Sequence, residues 1–248
     1  MLKVRIIPVL TFNGLSLVKT KKFSQPRIVG NPIQSAKVYN NRNVDELVFI
    51  DINATTQKRK INTNLVKKII DECLMPVTIG GGINSLNDIN DLLKIGADKV
   101  IIKTKAIIDY NFVNSAVNYF GGQCISIAVD AYKEKNQYYI HNIHDIKLTL
   151  KEFISAMEES KVGEFIVNSV DYDGMMNGFE KELLYKINEY TNLPKIALGG
   201  AGKPQHFHDL YDSGFKGALA ASSIYHFTQF TPLDVKRHLL ENGVPVRV

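Results

Sequence analysis

The sequence predicts an α/β protein: one (β/α)8 (TIM) barrel built from two fused half-barrels. The main observation is an internal repeat. Residues 76–104 (PVTIGGGINSLNDINDLLKIGADKVIIKT) recur as residues 194–222 (PKIALGGAGKPQHFHDLYDSGFKGALAAS) at a constant offset of 118, without a gap. Glu46 and Glu164 share that offset, and each opens an apolar run (ELVFI, EFIVN). Repeats of solenoids are about 20–50 residues long, so a half-length repeat marks a duplicated half-domain. The second observation is the alternation of unbroken apolar runs with helical patterns, which marks buried parallel strands joined by helices. The third is length: 248 residues suit one barrel of about 250 and leave no room for a second domain. The expected domain is therefore 1–248, with half-barrels at about 1–122 and 123–248.

The eight expected strands are Val4–Leu10, Leu47–Asp51, Val77–Ile79, Lys99–Ile102, Ile125–Asp130, Phe165–Asn168, Lys195–Leu198 and Ala218–Ala220. The expected helices are Pro32–Asn41, Asn62–Glu72, Leu86–Ile95, Tyr110–Phe120, Leu150–Ser160, Glu180–Tyr190, Pro204–Asp212 and Pro232–Glu241. Ser85 and Gly96 bracket the third helix with a capping residue and a stop. Two longer insertions, Thr11–Gly30 and Ala131–Lys147, follow strands 1 and 5 in matching places of the two halves, and the second reads as a β-hairpin. Barrel chemistry sits on the loops after the strands, so both belong to the active face.

The bulk numbers narrow the class. No apolar run approaches the ~18 residues that span a bilayer, and the stretch MLKVRIIPVL has no small-residue cleavage site, so it reads as a strand. Cys73 and Cys124 are too few for a disulfide framework and read as reduced core thiols of a cytoplasmic protein. A net charge of +5 favours anionic small molecules or an acidic partner. No aromatic-interleaved basic stripe points to nucleic acid. The short runs Lys19, Lys21, Lys22 and Lys58, Arg59, Lys60 fit either solvated loops or a phosphate-attracting lip. His206 and His208 stand two apart on a helix and do not share a face. No metal site or cofactor is expected.

Gly80-Gly81-Gly82 ends strand 3 and Gly199-Gly200 ends strand 7. Glycine lets backbone N–H groups close on an anion beside a helix N-terminus. Lys103-Thr104 and Ala221-Ser222 end strands 4 and 8 and complete two cradles, so a ligand with a phosphate at each end would span the mouth. Asp130 ends strand 5, where a carboxylate can act as acid or base. Its repeat mate is Thr11, which does not titrate. Asp51, Asp171 and Asp173, with Lys19, are candidates to orient a polar substrate. At the opposite end, Arg5, Glu46, Lys99 and Glu164 stand at the starts of strands 1, 2, 4 and 6 and are expected to form a ring of salt bridges. That face usually serves stability, and a charged plug can also be a gate.

These residues together resemble the cyclase subunit of imidazole glycerol phosphate synthase, over essentially the whole chain. The likeness is carried by RIIPVL at 5–10, Val18-Lys19, DELVFIDINAT at 45–55, TIGGGI, GADKV, Asp130, NSVDYDG at 168–174, GGAGK at 199–203 and ALAAS at 218–222. The resemblance implies a heterodimer with a glutaminase subunit docked at the bottom of the barrel, and ammonia passing up to the active face. It assigns the gate to Arg5, Glu46, Lys99 and Glu164, and a docking contact to Asp98. It assigns phosphate binding to Gly82 and Thr104 in one half, and to Gly174, Gly200, Ala221 and Ser222 in the other. The family's two catalytic aspartates fall on Thr11 and Asp130, a phosphate-site Asn on Lys103, and a Ser on Leu198. The loop TFNGLSLVKTKKFSQPRIVGNP looks similar to that of a divergent branch associated with surface polysaccharide biosynthesis. That likeness implies ammonia delivery for converting an acetamido group of a nucleotide sugar to an acetamidino group, with a separate sugar amidotransferase. Three functions stand open: that sugar-directed role with little cyclase activity, the authentic histidine-pathway cyclase, and a non-catalytic scaffold for the glutaminase.

Overall fold

The computed structural model of the chain describes residues 3–24 and 26–248. The first two residues of MLKVRIIPVL and Gln25 of the loop after strand 1 lie outside it. The first half contributes β1 (Ile6–Phe12), β2 (Leu17–Lys19), β3 (Arg27–Gly30), α1 (Pro32–Asn40), β4 (Leu47–Asp51), α2 (Thr63–Ile70), β5 (Val77–Gly80), α3 (Leu86–Lys94), β6 (Lys99–Ile102), α4 (Thr104–Ile108) and α5 (Tyr110–Phe120). The second contributes β7 (Ile125–Glu134), β8 (Gln137–Ile140), α6 (Leu150–Glu159), β9 (Glu164–Ser169), α7 (Lys181–Tyr190), β10 (Lys195–Leu198), α8 (Pro204–Asp212), β11 (Ala218–Ala221), α9 (Ser223–Phe227) and α10 (Pro232–Glu241).

Eight strands close into a parallel barrel in the order β1, β4, β5, β6, β7, β9, β10, β11. The seam pairs Ile6 with Leu219 and Pro8 with Ala221. The chain is thus a (β/α)8 barrel, as the repeat predicts. Local chemistry sets the helix starts. Ser85 with Asp88, Thr149 with Glu152 and Thr231 with Asp234 form reciprocal capping boxes. Asn31 caps α1 and Pro32 occupies its first position, where a missing N–H costs nothing.

Three departures from the expected elements have physical causes. The first strand runs Ile6–Phe12, two residues later than expected. Val4 instead bridges Val246 and donates to the Pro245 carbonyl at 2.7 Å, while Thr11 and Phe12 extend the ladder with Ile50 and Asp51. The first insertion is also a hairpin: β2 runs antiparallel to β1 and to β3. Its polar, lysine-rich sequence hid that pairing. Two five-residue helices, α4 and α9, follow β6 and β11 directly. The second insertion is the expected hairpin, with Ala131 paired to Ile140 and Glu134 to Gln137.

Strand side chains alternate with period two, and that period stacks the barrel interior in layers. Ile7, Val9, Val48, Ile101, Ala128, Ile166, Ile196, Ala218 and Ala220 form its apolar middle. Their outward neighbours join a larger core under the helices, including Phe49, Phe153, Phe165 and Phe207. Two residues below the middle layer lie Glu46, Lys99, Ser126 and Glu164. Two residues above it lie Thr11, Ile50, Lys103, Asp130, Asn168, Leu198 and Ser222. Among the described residues no helix is long and apolar enough to cross a membrane.

Candidate active site

The upper layer floors a cavity of about 310 Å³ at the C-terminal mouth of the barrel. Thr11, Lys19, Asp51, Gly82, Lys103, Thr104, Asp130, Asp173 and Ser222 all line it. Gly174, Gly200 and Ala221 meet Lys19, Asp173 and Ser222 in a smaller adjoining recess. The fold therefore gathers both expected cradles at one mouth.

The second cradle is shaped by a close backbone approach. Gly200 has φ +95°, and a Cβ there would lie 2.0 Å from the Gly178 carbonyl oxygen. Gly178 N–H donates back to the Gly200 carbonyl at 2.8 Å. Beside it, Ser222 Oγ and Asn168 Oδ1 are buried and lack hydrogen-bond partners among the described residues. Both line the main cavity; buried polar atoms are normally paired, so two orphans at one mouth fit a place made for a polar ligand. In the first cradle, Gly81 and Gly82 run against the backbone of Asp51 and Arg59, and Thr104 is the first residue of α4.

The carboxylates of the mouth are all engaged. Asp51 is fully held by Arg59 through two bonds of 2.6 and 2.9 Å. Lys19, brought in by β2, lies 3.5 Å from Asp173, and Thr20 donates to the same carboxylate at 3.1 Å. Burial raises the Asp173 pKa; Lys19 and the Thr20 hydrogen bond oppose that, and Asp130 adds to it. Asp171 sits on the rim, accepting from Lys133 N–H. Asp130 forms an ion pair with Lys103 at 2.5 Å. The Thr11 hydroxyl donates to the Val18 carbonyl, back into its own hairpin.

At the other end the four expected residues do form a ring. Arg5 bonds Glu46 at 2.5 Å and Glu164 at 3.0 Å; Lys99 lies 3.4 Å from Glu46 and 2.7 Å from Glu164. Thr78 donates to Glu46 and Ser126 to Glu164, satisfying further lone pairs. Burial pushes the Glu164 pKa up, but Lys99 and Arg5 outweigh it and the net shift is downward. Burial likewise works against the Arg5 charge, which Glu46 and Glu164 more than restore. Asp98 is exposed beside this ring, with one oxygen accepting from Val77 N–H at 2.8 Å.

A family model described as "Histidine biosynthesis protein" matches residues 5–231. The chain belongs to that family. Its relatives include the imidazole glycerol phosphate synthase subunit HisF of Flavobacterium johnsoniae, 38% identical over the whole of both chains. The proteins of the same name from Dehalococcoides mccartyi and Thermococcus onnurineus are 38% and 39% identical, covering all of this chain and 99% of each relative. The chain is therefore HisF-like throughout its length. The likeness to the polysaccharide-linked branch finds no support in these three relatives.

Two features of this HisF-like mouth were not read from the sequence. Arg59, in a run that fits either a solvated loop or a phosphate-attracting lip, clamps Asp51. His141, in the second hairpin, lines the cavity. Both lie in connections that follow strands on the active face, Arg59 between β4 and α2 and His141 directly after β8. His206 and His208 stay apart as expected, His206 accepting from Gly202 N–H and His208 facing Gln205.

Proposed function

We propose that the chain is the synthase subunit of a glutamine-dependent enzyme of the imidazole glycerol phosphate synthase type. In this reading a glutaminase subunit docks at the ring end, near Asp98, and ammonia crosses the apolar middle layer. It then meets a ligand held by a phosphate in each cradle, and the imidazole ring closes at the mouth, as in histidine biosynthesis. The observation that carries the reading is the pairing of two cradles across one cavity with Asp130 between them. The full-length relatives support the cyclase better than they support the sugar-directed role. Ammonia is small and neutral, so a layer of Ile, Val and Ala between ring and cavity is compatible with its passage. A doubly anionic ligand gains from backbone N–H groups at both ends.

One observation favours the second reading, ammonia delivery to an acetamido group of a nucleotide sugar with a separate sugar amidotransferase. Thr11 does not titrate in the working range, and Lys103 ties up the remaining Asp130. The test is turnover of the bisphosphorylated ribulosyl substrate with ammonium chloride as nitrogen source. The cyclase reading expects measurable turnover by the wild-type chain. It also expects a gain of at least about 10²-fold in Thr11→Asp, because a positioned proton-transfer group contributes about 10²–10⁴-fold. No turnover by either protein would overturn it.

A further inference from the structure

We propose that His141 is the acid–base residue of this active face, taking the proton that an ammonia-derived nitrogen sheds as it bonds to an oxygen-bearing sp² carbon of the ligand. The proposal rests on the cyclase reading, in which ammonia meets the bisphosphorylated ligand in this cavity.

Among the described residues, six titratable side chains line the cavity: Lys19, Asp51, Lys103, Asp130, His141 and Asp173. Five are paired, Asp51 with Arg59, Lys19 with Asp173 and Lys103 with Asp130. Among the described residues, the His141 ring has no hydrogen-bond partner, and its Nδ1 is buried. A buried unpaired nitrogen costs stability, so its presence calls for a use.

The backbone fixes where the ring stands. β8 ends at Ile140, opposite Ala131, and His141 N–H donates to the Asp130 carbonyl at 2.7 Å. His141 is thereby anchored beside the residue at the centre of the cavity floor. The Phe23 ring meets the imidazole edge-on at 5.2 Å, and Lys103 Nζ lies 5.6 Å from the same Phe23 ring. The charged groups facing His141 are Lys103, at the start of α4, and Asp130, on β7; the loop after β2 supplies the apolar Phe23. Burial lowers the imidazole pKa, Lys103 lowers it further, and Asp130 opposes. These surroundings favour the neutral imidazole, the form that can accept a proton. Asp130 is poorly suited to that task, because protonating it would break its ion pair with Lys103.

The step balances without another reactant. The ammonia lone pair forms the C–N bond, and the C=O π pair moves onto oxygen. The nitrogen gives one proton to His141, and the imidazolium returns it to the oxygen, leaving a neutral carbinolamine.

The first test needs no variant. The wild-type chain is treated with diethyl pyrocarbonate across pH 5–8, and modified peptides are mapped by mass spectrometry. His141 is expected to react, with a midpoint below that of exposed His144. Fructose 1,6-bisphosphate, a sugar with a phosphate at each end, is expected to slow His141 and leave His144 unchanged. Lys103→Met is expected to raise the His141 midpoint. A His141 that stays unmodified at pH 7 while His144 reacts would overturn the proposal. The second test is ammonium-dependent turnover. His141→Gln is expected to lower kcat about 10²–10⁴-fold with little change in KM, while His144→Gln stays near wild type. A His141→Gln rate within about threefold of wild type would also overturn it. If the wild-type chain turns over no bisphosphorylated substrate, the cyclase reading fails and the proposal with it; an unreactive His141 in a chain that does turn over overturns the proposal alone.

Discussion

Lys99→Met is expected to destabilise the barrel by about 3 kcal/mol, although methionine fills a similar volume. Breaking a buried ion pair by removing one partner leaves an uncompensated charge, at a cost of roughly 3–5 kcal/mol. Here the loss strands Glu46 and Glu164, which are 2% and 4% exposed, with Arg5 as the remaining cation. The lower end of the range applies because Thr78 and Ser126 still donate to the two carboxylates. For a chain of this size the melting temperature falls by about 6–12 °C, which calorimetry at pH 7 would measure. The pH dependence identifies the cause. The Glu164 pKa is lowered in the folded state from its ordinary 4.5. Its contribution is therefore complete above that value and is lost as pH falls through the lower folded value. Wild type and variant should converge in acid below that window. A gap that persists there would assign the loss to packing.

Gly200→Ala is expected to cost a further class of stability and to disable the second cradle. The new Cβ meets the Gly178 carbonyl oxygen at 2.0 Å, so backbone must move. A left-handed backbone at a residue with a Cβ costs roughly 1–2 kcal/mol, and forced repacking adds about 1–3. The sum, on the order of 3 kcal/mol, should appear as a lower melting temperature. Titration with inorganic phosphate should show at least about tenfold weaker binding at this recess, as the N–H groups lose their aim. Gly214→Ala separates the two contributions. Gly214 has φ +100° with nothing within 4 Å of a built Cβ, so it should show only the backbone strain and bind phosphate normally. Equal losses in both variants would mean that the contact with Gly178 is not what shapes the cradle.

The architecture was legible because it is written twice. The 118-residue offset and the buried apolar runs fixed the strand count, and several elements, such as Leu47–Asp51 and Tyr110–Phe120, match their expected bounds. Period-two alternation also makes the layers readable: Glu46, Val48 and Ile50 on one strand, and Ser126, Ala128 and Asp130 on another, run from ring to cavity. The pairings across the mouth were not readable in that way. Asp51 was expected to orient substrate with Lys19, yet Arg59 holds Asp51 and Asp173 holds Lys19. Lys103 was assigned to a phosphate, yet it reaches Asp130. Lys19 meets Asp173 and Lys103 meets Asp130 across the mouth from distant parts of the sequence, and Arg59 reaches Asp51 only because their shared loop folds back, so no local pattern encodes these pairs. His141 was missed for the same reason: its neighbours Phe23 and Lys103 lie far away in the sequence.

The hairpin of β2 and β3 has a consequence for how copies of this chain meet. Closing the barrel removes every free strand edge from its wall, but β3 is the last strand on its path and opens one again beside the mouth. Unpaired edges invite another strand to add on, and Ile28, 75% exposed, offers it an apolar grip. The chain guards that edge with Pro26, which has no N–H to offer, and with the charge of Arg27, held over the Phe227 ring. A second copy adding its own strand along β3 would cover the mouth, and Pro26 and Arg27 oppose that addition.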